Sequence, residues 1–77
     1  MEVDLIKIDE LKTITNEYVR LTKSNDNLLY KKEYLINMLL RLDSILADDN
    51  MVIKNMRKKI VVRINNTLDY LDSILSP

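Results

Sequence analysis

The sequence predicts an all-α protein, folded as an antiparallel three-helix bundle. Three stretches repeat apolar residues at spacings of three and four, which is the pattern of an amphipathic helix. Two short clusters of Ser, Asn and Asp separate these stretches, and such residues end one helix and cap the next. The chain has no Gly, and its single Pro is the last of 77 residues, so it lacks the usual residues of hairpin turns. A chain this short forms one domain, which we expect to span residues 1–77.

The first helix is predicted over about residues 3–23. The residues between its apolar positions are mostly charged and form a solvated face, on which ion pairs contribute little. The polar cluster from Ser24 to Asn27 ends this helix and makes the next one antiparallel to it. The predicted core positions of the first helix are Leu5, Ile8, Leu11, Ile14, Tyr18 and Leu21.

The second helix is predicted over about residues 28–47. At 100° per residue, its apolar positions fall within roughly 120° of arc. These predicted core positions are Leu28, Leu35, Met38, Leu39, Leu42, Ile45 and Leu46.

The third helix is predicted over about residues 51–75, after a break at Asp48, Asp49 and Asn50. Its predicted core positions are Ile53, Met56, Ile60, Ile64, Leu68, Leu71 and Leu75.

The composition excludes most classes of functional site. The chain has no Cys and no His, so it cannot use thiolate or imidazole ligands, disulfides or a His general base. Phosphate-binding and calcium-binding motifs are missing, and we expect neither an enzyme nor any cofactor or metal. Twelve basic and twelve acidic residues balance to zero net charge, and no apolar run is long enough to span a bilayer. The basic run from Arg57 to Lys59 is interpreted as a solvated helix face, with no binding of nucleic acid.

One edge of the second and third helices combines charged and apolar residues. Glu33 and Asp43 are ten residues apart. Ten residues of helix rotate by about 1000°, which leaves the two carboxylates within about 80° of each other around the helix axis. We predict that this edge docks a protein partner. The alternative is that Glu33 and Asp43 are ordinary surface charges and Leu40 a residue at the boundary of the core. The residues of the edge are Glu33, Ile36, Leu40 and Asp43 on the second helix and Arg57, Val61 and Asn65 on the third.

The order and spacing of residues in the last two helices resemble the BAG domain, a three-helix module that binds heat-shock protein 70 chaperones. The residues that carry this resemblance are Glu33, Leu42, Asp43, Ser44, Ile45, Arg57, Lys58, Ile60, Val61, Ile64, Asn65, Leu68, Leu71 and Asp72. The resemblance implies that the protein is a nucleotide exchange factor, which contacts the nucleotide-binding domain of the chaperone and promotes release of ADP. It places the family's contact residues at Glu33, Asp43, Arg57 and Asn65, where Asn65 replaces a Gln that is common in the family.

The resemblance also sets expectations about the state of the protein. We expect a monomer that makes no membrane contact through this segment and lies in the cytoplasm, either free or tethered through a longer parent protein. The alternative function is a structural or self-associating helical interaction module without chaperone activity, since mixed three- and four-residue spacing is also typical of helical assemblies.

Overall fold

The all-α fold is confirmed. A computed structural model describes residues 2–75, with side chains from residue 3, and the expected domain extends past these residues at both ends. The three helices are α1 (Glu2–Lys23), α2 (Leu28–Asp43) and α3 (Met51–Leu75). All three pack against one another, and they form an elongated bundle of 47 × 19 × 15 Å.

Contacts between the helices fix their directions. On α2 and α3, Lys32 pairs with Asp72 at 2.7 Å near one end, and Arg57 donates to the carbonyl of Ile45 at 2.6 Å near the other. These helices are therefore antiparallel. Arg41 of α2 pairs with Glu17 of α1 at 2.6 Å, on the flank of α2 opposite to Lys32. The chain thus runs up, down and up, as the short polar connections predict.

The core lies along the common axis of the three helices. Seven side chains are fully buried, which for residues of this size means that truncation to Ala costs about 2–5 kcal/mol each. No polar or charged residue among residues 3–75 is buried, so the interior is held by apolar packing. The seven residues are Leu11, Ile14, Leu35, Met38, Leu42, Ile53 and Ile64.

Helix α2 ends earlier than expected. It stops at Asp43 with Ser44 as its C-cap, and the backbone N–H of Ser44 donates to the carbonyl of Arg41 at 3.2 Å. The expected end was about Ala47, because the apolar spacing continues that far. Ile45 and Ala47 are buried by the turn instead of by the helix.

Three predicted core positions are wrong. Leu46 is 61% exposed, since the chain has left the helix and the side chain points away from the core. Leu5 is also exposed, because the start of α1 turns Asp4 and Lys7, and not Leu5, toward the α2–α3 connection. Leu75 is at the end of α3 and is partly exposed.

Polar residues define the two helix starts after the connections. Asn27 caps α2 by accepting from the N–H of Leu29 at 2.8 Å. Asn50 caps α3 by accepting from the N–H groups of Val52 and Ile53 at 2.9 and 3.2 Å. These bonds satisfy donors that have no partner within the helix.

The α2–α3 connection contains a left-handed residue. Asp48 has a φ of 51°, a region that suits Gly and, less well, Asp and Asn. Because the chain has no Gly, an Asp takes this position, and its carboxylate pairs with Lys7 of α1 at 3.2 Å.

Candidate functional site

The candidate surface is the edge of α2 and α3 made of Glu33, Ile36, Leu40, Asp43, Arg57, Val61 and Asn65. On α2, all four of its residues are exposed, including the large apolar side chains of Ile36 and Leu40. The carboxylates of Glu33 and Asp43 make no hydrogen bond or ion pair with any other residue in the range 2–75. Both carboxylates are therefore available to cations from outside the chain.

The α3 half of the surface is partly anchored to the bundle. Val61 is half-buried and packs against the core, while Asn65 is exposed. Arg57 is half-buried, and one of its guanidinium nitrogens donates to the carbonyl of Ile45 at 2.6 Å. A guanidinium carries five N–H donors, so this bond orients the group and leaves donors for a partner.

The register of α2 and α3 brings the two halves together. On α3 the contact residues Arg57 and Asp72 are 15 residues apart, or about 22 Å at 1.5 Å per residue. On the other arm of the hairpin Lys32 and Ile45 are 13 residues apart, and the last two of these lie in the turn after α2. The two cross-helix contacts therefore bracket similar lengths. In this register Asp43 lies at the end of the surface near Arg57, and Glu33 lies at the end near Asp72.

Apolar residues occupy the middle of the same surface. The register places Leu40 beside Val61 and Ile36 beside Asn65. Docking of a protein partner would use such a layout, because apolar residues between charged ones exclude water from around the charge pairs that a partner would complete.

Helix α1 packs on the other side of the bundle and leaves the candidate surface open. Glu17 of α1 accepts hydrogen bonds from Arg41 and from the hydroxyl of Tyr34 on the far flank of α2. Tyr18 of α1 contacts α3, where its hydroxyl lies 2.6 Å from the hydroxyl of Thr67 and its ring lies under the guanidinium of Arg63. These contacts hold α1 in place without using any residue of the candidate surface.

Two residues beside the surface were missed by sequence reasoning. Lys32 pairs with Asp72 across the helix interface, and Leu29 is exposed one turn before Glu33. The pairing of Lys32 depends on the register between the helices, which periodicity does not define. Leu29 could have been found, since it follows the same four-residue spacing back from Glu33.

The described residues form no metal-binding cluster, and the cavities of the bundle lie away from the candidate surface. Among residues 2–75 no group of three or more acidic residues is placed to hold a metal ion. Cavities of about 390 and 290 Å³ lie beside Tyr34 and beside Leu28, and both are lined by residues outside the candidate surface. None of the three helices, as far as the structure describes them, is long and apolar enough to cross a membrane.

Comparison with known proteins gives one clear result. A family model described as BAG domain matches residues 6–74, nearly the whole chain and all seven residues of the candidate surface. No curated protein and no solved structure matches the chain significantly.

Proposed function

Because the chain belongs to the BAG domain family, we propose that it is a co-chaperone that binds the nucleotide-binding domain of a heat-shock protein 70 chaperone and promotes release of ADP. The family is known as a non-enzymatic co-chaperone and nucleotide-exchange module. The observation that carries the proposal is the family match together with an open α2–α3 edge whose carboxylates have no partner among the described residues. We propose that the domain acts in the cytoplasm, free or as part of a tethered protein.

The mechanism that we propose is differential binding. A protein that binds the open form of the nucleotide-binding domain more tightly than the closed form shifts the equilibrium toward opening, and bound ADP escapes. Raising an open form from about 1% to about half of the population requires roughly 100-fold tighter binding to that form, or about 2.7 kcal/mol. A few well-placed contacts supply this difference, so no chemical step by the co-chaperone is needed.

Each part of the candidate surface has a role in this proposal. Glu33 and Asp43 pair with basic side chains of the chaperone, and Arg57 pairs with an acidic one. Leu40 and Val61 cover the space between these pairs and keep water out, which strengthens the charged hydrogen bonds. Asn65 donates and accepts hydrogen bonds at the middle of the surface.

The test is the rate of release of a fluorescent ADP analogue from a eukaryotic heat-shock protein 70 chaperone, measured by stopped flow. We expect the wild-type protein to accelerate release and the double variant Glu33→Ala, Arg57→Ala to lose the acceleration. Circular dichroism must show that the double variant keeps its helical content.

A control variant separates the surface from general charge effects. Asp9 and Lys12 are exposed residues of α1 outside the candidate surface, so Asp9→Ala, Lys12→Ala removes one negative and one positive charge elsewhere. This control should accelerate ADP release like the wild type. Equal loss in both double variants, or no acceleration and no complex by calorimetry with wild-type protein, contradicts the proposed function.

A further inference from the structure

A cavity of about 290 Å³ lies at one end of the bundle, where the α1–α2 connection meets the last turns of α3. Residues of all three helices line this cavity, which we call the end cavity. Its volume is close to the lower limit of the cavities that hold small ligands, about 300 Å³. The leucines of its wall are Leu21, Leu28, Leu35 and Leu71.

Lys31 is the one charged residue of the described chain that lines the end cavity. No carboxylate within residues 2–75 forms an ion pair with Lys31. The neighbouring Lys32 pairs with Asp72 at 2.7 Å and so occupies that carboxylate. The wall of the cavity therefore carries one positive charge and, among the described residues, no negative charge.

Lys31 is on the core-facing side of α2. At 100° per residue it lies within about 60° of Leu28 and of Leu35 around the helix axis, and its side chain is half-buried. Its Nζ donates to the carbonyl of Ser24 at 2.7 Å, just past the end of α1. An ammonium group has three N–H donors, so this bond leaves two donors for a ligand.

The charge and the leucines of the wall select a ligand with two parts. An anion stabilises a half-buried ammonium among apolar side chains, because the low polarity of the surroundings strengthens the charged hydrogen bond. The leucines favour a hydrocarbon chain, since each methylene group that leaves water stabilises the complex. An anion with a hydrocarbon chain meets both conditions, whereas Lys31 would repel a cation.

The volume limits the length of the hydrocarbon chain. An engineered apolar cavity of about 150 Å³ holds benzene, a molecule of six carbon atoms. A cavity of about 290 Å³ therefore holds roughly ten to twelve non-hydrogen atoms. A carboxylate with about eight carbon atoms has this size.

We propose that the end cavity binds a small amphipathic carboxylate, a medium-chain fatty acid, whose carboxylate accepts hydrogen bonds from Lys31 and whose chain lies against the leucines. This inference does not depend on the chaperone partner. None of the lining residues belongs to the candidate surface, so one protein molecule can hold the fatty acid and the chaperone together. The fatty acid contacts all three helices and binds only the folded chain, so it raises the unfolding temperature.

The experiment is a titration of the ¹⁵N-labelled protein with octanoate, followed by NMR. We expect the backbone amide signals of the lining residues to shift and to saturate, with a dissociation constant of about 1 mM or below, as befits a ligand of this size. 1-Octanol and octylammonium carry the same chain with a neutral and a cationic head group. Each should bind at least about tenfold more weakly than octanoate, because the charged hydrogen bond to Lys31 is absent.

Lys31→Met tests the charge, since methionine keeps an unbranched apolar side chain without the ammonium group. The dissociation constant for octanoate should rise at least about tenfold, while that for 1-octanol stays as in the wild type and shows that the cavity is intact. Lys23→Met is the matched control and should bind octanoate like the wild type, because Lys23 is exposed in the last turn of α1 and lies outside the cavity. Unchanged octanoate affinity in Lys31→Met would show that Lys31 only caps α1, and it would overturn the inference.

Thr22→Trp tests the cavity without removing the charge. Thr22 is an exposed lining residue whose hydroxyl donates to the Val19 carbonyl of its own helix at 2.8 Å, so a large ring there should enter the cavity and leave the fold unchanged. Octanoate should bind this variant at least about tenfold more weakly than the wild type. Thr13→Trp is the matched control, since Thr13 is exposed and donates to the Asp9 carbonyl in the same way, away from the cavity.

Three further results would overturn the inference. Wild-type protein that shows no saturation by about 10 mM octanoate has no such site. Equal affinity of the wild type for 1-octanol and octanoate would show an apolar cavity without preference for an anion. Octanoate binding that persists unchanged in Thr22→Trp would place the ligand elsewhere on the protein.

Discussion

Arg57 of α3 donates a hydrogen bond to the backbone carbonyl of Ile45, at 2.6 Å, just past the end of α2. The carbonyls at the end of a helix have no partner within it, so this bond helps to stabilise the turn that follows α2. The same guanidinium is one of the residues that we propose to contact the chaperone. The Arg57 side chain therefore has both a structural hydrogen bond and a proposed binding role, and experiments at this position must measure stability and binding separately.

We predict that Arg57→Ala weakens chaperone binding by roughly 2 kcal/mol or more, measured by calorimetry, because a charged hydrogen bond to the chaperone is lost from the interface. Its free energy of unfolding should fall by about 1 kcal/mol as the bond to Ile45 disappears. Helical content should remain that of the wild type by circular dichroism. A variant that loses both helix and binding would show that Arg57 is structural and that the surface is misassigned.

Arg57→Lys refines this prediction. Lysine keeps the positive charge but cannot bond the Ile45 carbonyl and a partner carboxylate with one planar group. We expect binding between that of the wild type and that of Arg57→Ala. Binding equal to the wild type would mean that charge alone matters at this position.

Glu33→Ala and Asp43→Ala should weaken chaperone binding without changing stability. Neither carboxylate has a partner within residues 2–75, so the free energy of unfolding should stay within about 0.5 kcal/mol of the wild type. Calorimetry should show weaker binding for both variants and a smaller dependence of affinity on salt, since an ion pair with the chaperone is removed. Full affinity in both variants would contradict the assignment of this edge.

Asn50→Ala should destabilise the fold more than Asn27→Ala. Asn50 accepts from two backbone N–H groups and also bonds Asp4, whereas Asn27 accepts from one. We expect a loss of about 1–2 kcal/mol for Asn50→Ala and about 1 kcal/mol for Asn27→Ala in urea unfolding. The exposed Asn55 within α3 is the control, and Asn55→Ala should be neutral or slightly stabilising.

Asp48 allows a test of the left-handed turn. A β-branched residue is strained at a φ of 51°, so Asp48→Val should cost about 1–2 kcal/mol of unfolding free energy. Asp48→Gly should be close to neutral, because relief of the strain offsets the lost pair with Lys7 and the greater freedom of the unfolded chain. Asp49→Val, one residue later, should have little effect. Equal losses in all three variants would show that the backbone angle at Asp48 is unimportant.

The sequence was sufficient to predict the fold class and most of the core. The three-and-four spacing correctly placed Leu11, Leu35 and Ile64 in the interior, because one face of each helix must be buried in a bundle. It misplaced Leu46, since a turn that buries Ile45 and Ala47 has the same apolar pattern as another turn of helix. Periodicity alone does not distinguish these two conformations.

The candidate surface could be assigned only in part. Helical rotation placed Glu33 and Asp43 on one edge of α2, and Arg57 on an edge of α3. It could not give the register that pairs Lys32 with Asp72, or the bond from Arg57 to Ile45, because both depend on how the helices pack. Binding by these residues stays a prediction until affinities are measured.

The contacts of α1 differ in the length of chain that they close. Those with α2 join Glu17 to Tyr34 and Arg41, 17 and 24 residues apart, whereas those with α3 and with the α2–α3 connection join residues 39 to 49 apart. Closing a long loop has a larger entropic cost, so we expect α2 to pair with each of its neighbours before α1 meets α3. The helix that carries Glu33 and Asp43 would then be the element on which the other two assemble.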